Sequence, residues 1–356
     1  MASTFPDQAR SLRLHGALAD PKGAIGGPFF DALLLWGCPL VSAILVWAWI
    51  AGAGLLAAPL RDGAIAALAV AVSVLTFAHL IAVAPRAYLN REVFEANRRR
   101  LTIVPLLLVA ALTLSPTLLL IGGVVAVFWD VHHSAMQSFG LGRIYDMKAG
   151  NGPLVLRRTD LRLNWALYVG PIAAGASLMA HLEGLNGFGP LGWSALTAIP
   201  SLAESHLTGI REVAILAWLG ILGWAAWDYR AAVAQGYRLP VHKVALIGST
   251  GLVSIAAWGF TTPVAAFAII NLFHAVQYFA LVWLKEGSRM AGIGGAGNSG
   301  RRDVIALAIF LLLCLGFGLA YQYGRDARWL AGAFIACSLL HFWYDSFVWS
   351  VRKKQV

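Results

Sequence analysis

Asp130, His132, His133 and Gln137 fall within one short stretch, Phe128-Trp-Asp-Val-His-His-Ser-Ala-Met-Gln137. A carboxylate, two imidazoles and an amide this close together can hold a metal ion and handle protons beside it. The stretch lies near the end of a long apolar run, where ionisable groups are costly and mark function by default. Three other apolar runs carry a histidine at a comparable place: His79, His274 and His341. Imidazole suits iron, copper and zinc, and a ligating ring normally engages its other nitrogen with a carboxylate, amide or carbonyl. Asp130, Gln137, Asn271, Gln277, Tyr278 and Asp345 supply partners of that kind.

Helical geometry sorts these residues. Adjacent positions on a helix point about 100° apart, so His132 and His133 do not both face one mononuclear centre. His133 shares its face with Asp130 and Gln137, at i−3 and i+4. His132 is left for a second metal or for a hydrogen bond to a neighbouring helix. Asn271, His274 and either Gln277 or Tyr278 share another face. His341 and Asp345 are an i, i+4 pair, either two ligands or a ligand and the carboxylate that orients it. The expected metal ligands are therefore His79, His132, His133, His274 and His341. Asp130, Tyr278 and Asp345 are the expected catalytic groups, and Gln137, Asn271 and Gln277 the expected cofactor-binding amides.

The elements that must position them are membrane helices. The chain has 356 residues, of which 59% are hydrophobic and only 12% charged, about half the charge of an ordinary soluble domain. Ten apolar stretches are read as helices: 30–57, 64–85, 101–114, 116–139, 163–182, 210–227, 242–260, 263–284, 303–322 and 327–349. The fold class expected is an all-α polytopic transmembrane bundle, with residues 1–28 as a cytoplasmic segment, 29–350 as one helical domain and 351–356 as a basic tail. Leu185 to Leu202, apolar but broken by Gly and Pro, is expected to be re-entrant or superficial. Of the 27 lysines and arginines, all but Arg61, Arg211, Arg325 and Arg328 fall on one side when both termini are placed there. The positive-inside rule makes that side cytoplasmic, as expected of a protein in a bacterial inner membrane. Contact with anionic headgroups then accounts for the net charge of +10 without nucleic acid.

The four histidines at 79, 133, 274 and 341 all sit on even-numbered helices, which run in the same direction. Each lies in the half nearer the cytoplasm, roughly 9 to 16 Å from that surface at 1.5 Å per residue. They form one layer. His181, His206 and His242, nearer water, read as surface residues, and Asp31 as a carboxylate at a helix start. Cys38, Cys314 and Cys337 have no metal or redox spacing and read as small core residues. Arg86 to Arg100 reads as an amphipathic surface helix, and Gly140 to Asp146 as a polar exit loop. Trp343 and Trp349 read as interfacial aromatics. Gly292-Ile-Gly-Gly-Ala-Gly297 matches G-x-G-x-x-G without the βαβ context that motif needs, and reads as a linker. The head of the chain holds no apolar signal-peptide core.

A centre buried at this depth meets lipophilic substrates most easily. Phe128, Trp129, Phe139, Phe273, Tyr278, Phe342 and Trp343 suit a polyene, isoprenoid or acyl chain. The layout of His79, His133, His274 and His341 resembles that of the bacterial Brp/Blh-type carotene dioxygenases. That resemblance implies a multi-helix membrane fold, non-haem iron held by four histidines on separate helices, and oxidative cleavage of a carotene. The H-x3-H and H-x2-H-H boxes of membrane desaturases and hydroxylases are absent, so hydroxylation, desaturation and cleavage all stay open, as does the need for an electron donor. Another transition metal, or haem b in an electron-transfer protein, is an alternative reading. A transporter with an intramembrane polar path is another, although no inverted repeat is visible.

Overall fold

A computed structural model describes residues 14–293 and 299–349. The basic tail and most of the Gly-rich linker lie outside the described residues. Eight helices there are long and apolar enough to cross a membrane, or nine if a pair bent by 94° counts as one span. This is an integral membrane protein built as an all-α bundle.

In chain order the helices are α1 (Pro28–Gly54), α2 (Ala58–Ile81), α3 (Arg98–Leu114), α4 (Pro116–Lys148), α5 (Arg157–Ala174), α6 (Leu207–Ala234), α7 (Val241–Phe260), α8 (Pro263–Ile293), α9 (Ser299–Gly324) and α10 (Arg328–Val348). They occupy the ten expected stretches. α3 has 17 residues and contains Pro105. Ser115 then turns the chain into α4, its side chain capping the Leu118 amide with Pro116 at the first position, where the missing N–H costs nothing. α5 breaks at Gly175, where an added Cβ would meet the Gly259 and Trp258 backbone at 2.5 and 2.8 Å. The segment after it is a chain of short helices, 178–183, 184–191, 194–197 and 199–205, rather than a span.

α8 lies at the centre of the bundle and α6 at its edge: 72% of the apolar window of α8 is buried, against 6% for α6. Two glycines let the surrounding helices close in, as small residues do where lipid supplies no hydrophobic drive. A Cβ on Gly318 of α9 would stand 2.1 Å from the Val74 carbonyl of α2, and one on Gly332 of α10 would stand 2.9 Å from the Thr113 Cα of α3.

The basic end of the bundle departs from the sequence reading. Arg86, Arg143 and Lys243 are not headgroup contacts, because each is buried against carboxylates. Arg86 donates to Glu286 at 2.6 Å, and Asn90 and Arg289 donate to the same carboxylate. Arg143 and Lys243 both bind Asp146 and Asp160 at 2.6 to 2.8 Å, tying α4 and α5 to α7. Tyr237 and Tyr229 donate to Asp146 and Asp160 respectively. Burial, with the Asp146 carboxylate beside it, holds the Tyr237 phenol well above its ordinary pKa. The run from Gly140 to Asp146 is therefore the last two turns of α4 and not a loop, since its polar side chains all find partners inside.

The chain ahead of α1 is anchored at the same end. Leu14–His15 (β1) pairs in parallel with Leu239–Pro240 (β2). Asp31 is fully buried and accepts from the Ile25 and Gly26 amides and the Tyr145 hydroxyl, so it does more than face a helix dipole. His242 is likewise no surface residue: it is 2% exposed, stacks on Tyr145 and meets the Leu18 carbonyl at 3.2 Å. Residues 86–100, expected as one surface helix, divide among a wide π turn that begins at Pro85, a six-residue helix capped by Asn90, and the start of α3.

Replacing Gly318 by Leu pushes α9 off α2 and lowers the thermal midpoint in detergent by several degrees, an overpacking cost of about 1–3 kcal/mol. Gly220→Leu on the exposed face of α6, where nothing lies within 4 Å, leaves it unchanged. Tryptophan-fluorescence melts of the two variants, scanned at one rate, check this.

Candidate metal centre

α2, α4, α8 and α10 each deliver one histidine to a common point. His79, His133, His274 and His341 are 0%, 4%, 1% and 0% exposed, and one nitrogen from each falls within 4.8 Å of all the others. Their rings follow one another in a circle. His79 to His274, His274 to His133, His133 to His341 and His341 to His79 are separated by 4.9, 4.9, 4.7 and 5.0 Å between centroids, each pair inclined by 70 to 90°. Edge-to-face order turns the nitrogens inward.

The donor set fits a transition-metal ion. His133 and His341 point their Nε2 atoms at each other, 3.1 Å apart. Both nitrogens of His79, both of His274 and Nδ1 of His341 are buried without a hydrogen-bond partner. Buried polar atoms in that state are rare and call for an explanation. Two nitrogens sharing a metal at about 2.1 Å stand about 3.0 Å apart when adjacent and about 4.2 Å apart when opposite. A set spanning at most 4.8 Å closes on one ion with small torsional changes.

One side of the quartet is open. A cavity of about 660 Å³ runs along α4 and α10, lined by His133, Tyr278 and Asp345 and by the apolar walls of Trp129, Met136 and Phe342. Asp345 stands at the boundary. Its Oδ2 lies 3.9 Å from Nε2 of both His133 and His341. Its Oδ1 accepts from the Tyr278 hydroxyl at 2.7 Å and the Trp349 indole at 3.1 Å. Tyr278 also packs 4.7 Å from the His341 ring. The expected pairing of His341 with Asp345 thus reaches His133 as well. Trp349, read from sequence as an interfacial aromatic, holds the carboxylate instead.

The amides sit behind the quartet. Gln277 donates to the Leu35 carbonyl at 2.6 Å, which the break between Leu35 and Cys38 leaves outside the helical ladder. Gln137 donates to the Gln277 side chain at 2.9 Å and to the His274 carbonyl at 3.1 Å. This chain fixes where α4 and α8 meet. Asn271 turns back to the Phe267 carbonyl of its own helix, and its Oδ1 is buried without a partner, as are Gln137 Oε1 and Thr76 Oγ1.

Two expected site residues do not join the centre. His132 faces the cavity away from the quartet, its Nδ1 accepting from the Trp165 indole at 3.0 Å; the hydrogen bond to a neighbouring helix is the arrangement found. Asp130, one turn earlier on α4, lines neither the quartet nor the cavity. The i−3 spacing puts it over His133, yet Trp129 takes the cavity wall at that level. Of the aromatics, Trp129, Phe139, Tyr278 and Phe342 line the cavity, while Phe273 is core and Phe128 is exposed. His181 and His206 bond to nearby backbone carbonyls of their own segment, and the three cysteines are free.

No family model, no curated protein and no solved structure matches this chain.

One transition-metal ion per chain is the expected uptake of the quartet. His133→Ala or His274→Ala abolishes this and His132→Ala does not, read by metal analysis after gel filtration. Metal at a hundredfold excess over its Kd stabilises the protein by about 2.7 kcal/mol, seen as a higher thermal midpoint that chelation reverses.

Proposed function

We propose that this protein is a membrane-embedded non-haem iron oxygenase acting on a lipophilic chain, isoprenoid or acyl. The observation that carries this reading is a quartet of buried imidazoles open on one side to an apolar cavity of about 660 Å³. Bound there, iron would supply oxygen activation, with the four histidines as its protein ligands. The neutral donor set leaves the ion its full charge, and the open side leaves room for oxygen and substrate.

The chain's own residues divide the remaining work. Trp129, Met136, Phe139 and Phe342 hold an apolar chain alongside His133 and exclude water from it. Asp345 is the carboxylate placed to hold or accept a proton at the open side. Tyr278 and Trp349 occupy Oδ1 and so leave Oδ2 turned toward the histidines. Gln137 and Gln277 keep α8 in register with α4 and hold the backbone of His274. Cleavage of a double bond by dioxygen consumes both oxygen atoms and needs no outside electrons. Hydroxylation or desaturation needs two electrons from a donor, so a requirement for reductant separates the reactions.

The crowding of the quartet argues against haem b. A porphyrin takes axial imidazoles on opposite faces of a wide plane, whereas here four rings meet edge to face within 5.0 Å of their neighbours. By the positive-inside rule, the basic end and the cavity beside it face the cytoplasm.

Metal analysis with an optical spectrum on detergent-purified protein tests the reading. About one iron per chain without a Soret band, lost in His133→Ala/His274→Ala, supports it. A Soret band, or no metal in either sample, overturns it, the latter leaving a transporter with a structural histidine cluster. In the iron-loaded protein Asp345→Asn keeps the metal but slows turnover of polyene or acyl substrates by roughly 10²-fold or more, the usual scale for a positioned proton-transfer group.

A further inference from the structure

The cavity beside the histidines changes character along its length. From Trp129 to Arg143 its α4 wall spans fourteen residue steps, about 21 Å at 1.5 Å per residue. The end near the quartet is apolar apart from His132, His133, Gln137, Tyr278, Asp345 and Ser346; the far end carries Arg143 and Arg157. Asp345 is the one carboxylate among the lining residues, and it lies at the quartet end. Asp146 and Asp160 neutralise Arg143 from outside the cavity, so the free positive charge at the far end is that of Arg157.

The two arginines differ. Arg143 is committed: it binds Asp146 and Asp160 and donates to the carbonyls of Gly152, Pro153 and Val155. Its effect is to pin residues 152–155 against α4, with Pro153 and Leu154 forming the cavity rim. The next residue, Leu156, has φ +55°, the one non-glycine with positive φ among the described residues. Backbone strain of this kind persists where the surroundings over-determine it, and it clusters at ligand clamps. Arg157 follows. It is exposed, it lines the cavity, and its guanidinium stands 5.9 Å from the Phe139 ring. No carboxylate pairs with it among the described residues. It also opens α5, eighteen residues long with no side-chain cap and with Asp160 as its first-turn acid.

We propose that the cavity takes an amphiphile whose anionic headgroup, a carboxylate or phosphate, pairs with Arg157 while its apolar chain runs along α4 to the histidine quartet. This rests on the quartet being the reacting centre, but headgroup capture needs no metal. Phe139, under the Arg157 guanidinium, is six residues from His133, about 9 Å along the axis. The headgroup is thus held away from the quartet, and the part of the substrate beside the histidines is a position within the chain. Arg157 acts as a fixed stop that selects that position. A free acyl or isoprenoid acid and an anionic phospholipid of the bilayer share this headgroup chemistry.

The test is equilibrium binding of tritiated palmitate, hexadecyl phosphate and methyl palmitate to the full-length protein in neutral detergent. Wild type binds the two anions at least tenfold tighter than the ester. Arg157→Gln loses that preference, a charge-assisted contact being among the stronger kinds, and binds the ester as before. Arg157→Lys keeps most of the preference, and Arg230→Gln on α6 keeps all of it. Equal anion binding in wild type and Arg157→Gln, or no preference over the ester in wild type, overturns the proposal. Native mass spectrometry of the protein as isolated names the source. A free acid retained by wild type and lost in Arg157→Gln marks a substrate subsite, and an intact anionic phospholipid lost in the same variant marks the bilayer as the supplier. Anion binding in His133→Ala is that of wild type, so a failure of metal binding and a failure of headgroup capture are read separately.

Discussion

Four imidazoles crowded into one buried cluster are the constraint on which the rest of this bundle depends. Each ring carries a lone pair on one nitrogen, and His133 and His341 turn their Nε2 atoms toward each other at 3.1 Å. Buried polar atoms without partners cost about 1–3 kcal/mol each, and five such nitrogens lie in this cluster. Nothing apolar relieves that cost. A bound cation relieves part of it, by engaging one nitrogen of each ring. The bundle is arranged to keep the rings together despite their mutual repulsion. Gly318 and Gly332 bring the outer helices onto α2 and α3, and the glutamines lock α4 to α8.

The ionic clusters at the basic end act on a different problem. Buried pairs such as Arg86 with Glu286 are weak sources of net stability, because desolvation offsets much of the attraction. Removing one partner is costly all the same, so they specify which helix neighbours which. Arg143, Lys243, Asp146 and Asp160 do this for α4, α5 and α7, and the same Arg143 shapes the rim of the cavity. Fold and site are coupled through one guanidinium.

Much of the centre was legible in the sequence because its signal is local. Each histidine interrupts an apolar run, and depth within that run follows from counting residues. The faces shared by His341 with Asp345, and by His274 with Gln277, follow from helical spacing. The ten apolar stretches located the helices for the same reason. What periodicity lacks is the identity of the neighbour. Nothing local tells that Gly140 to Asp146 stays helical, because its justification is Lys243, about a hundred residues later. Nothing local separates Arg86, which meets Glu286, from arginines that face lipid headgroups. Asp130 sits at a proper spacing from His133, yet Trp129 takes the cavity wall and Asp130 stays outside. Trp349 looked interfacial because it ends a span; its indole is instead half of the clamp on Asp345.

The quartet is chemically symmetric but its surroundings are not, and the asymmetry decides what chemistry it permits. On the His79 and His274 side the rings back onto packed helix, with Phe273 and Ala78 fully buried. On the His133 side stand a carboxylate held by two donors and an apolar channel toward the basic end. The apolar walls beside His133 suit a lipophilic chain, which gains about 25 cal/mol for each Å² of apolar surface it withdraws from water. Asp345 stands at the open side, and the helical repeat that puts it one turn after His341 makes histidine and carboxylate parts of the same element.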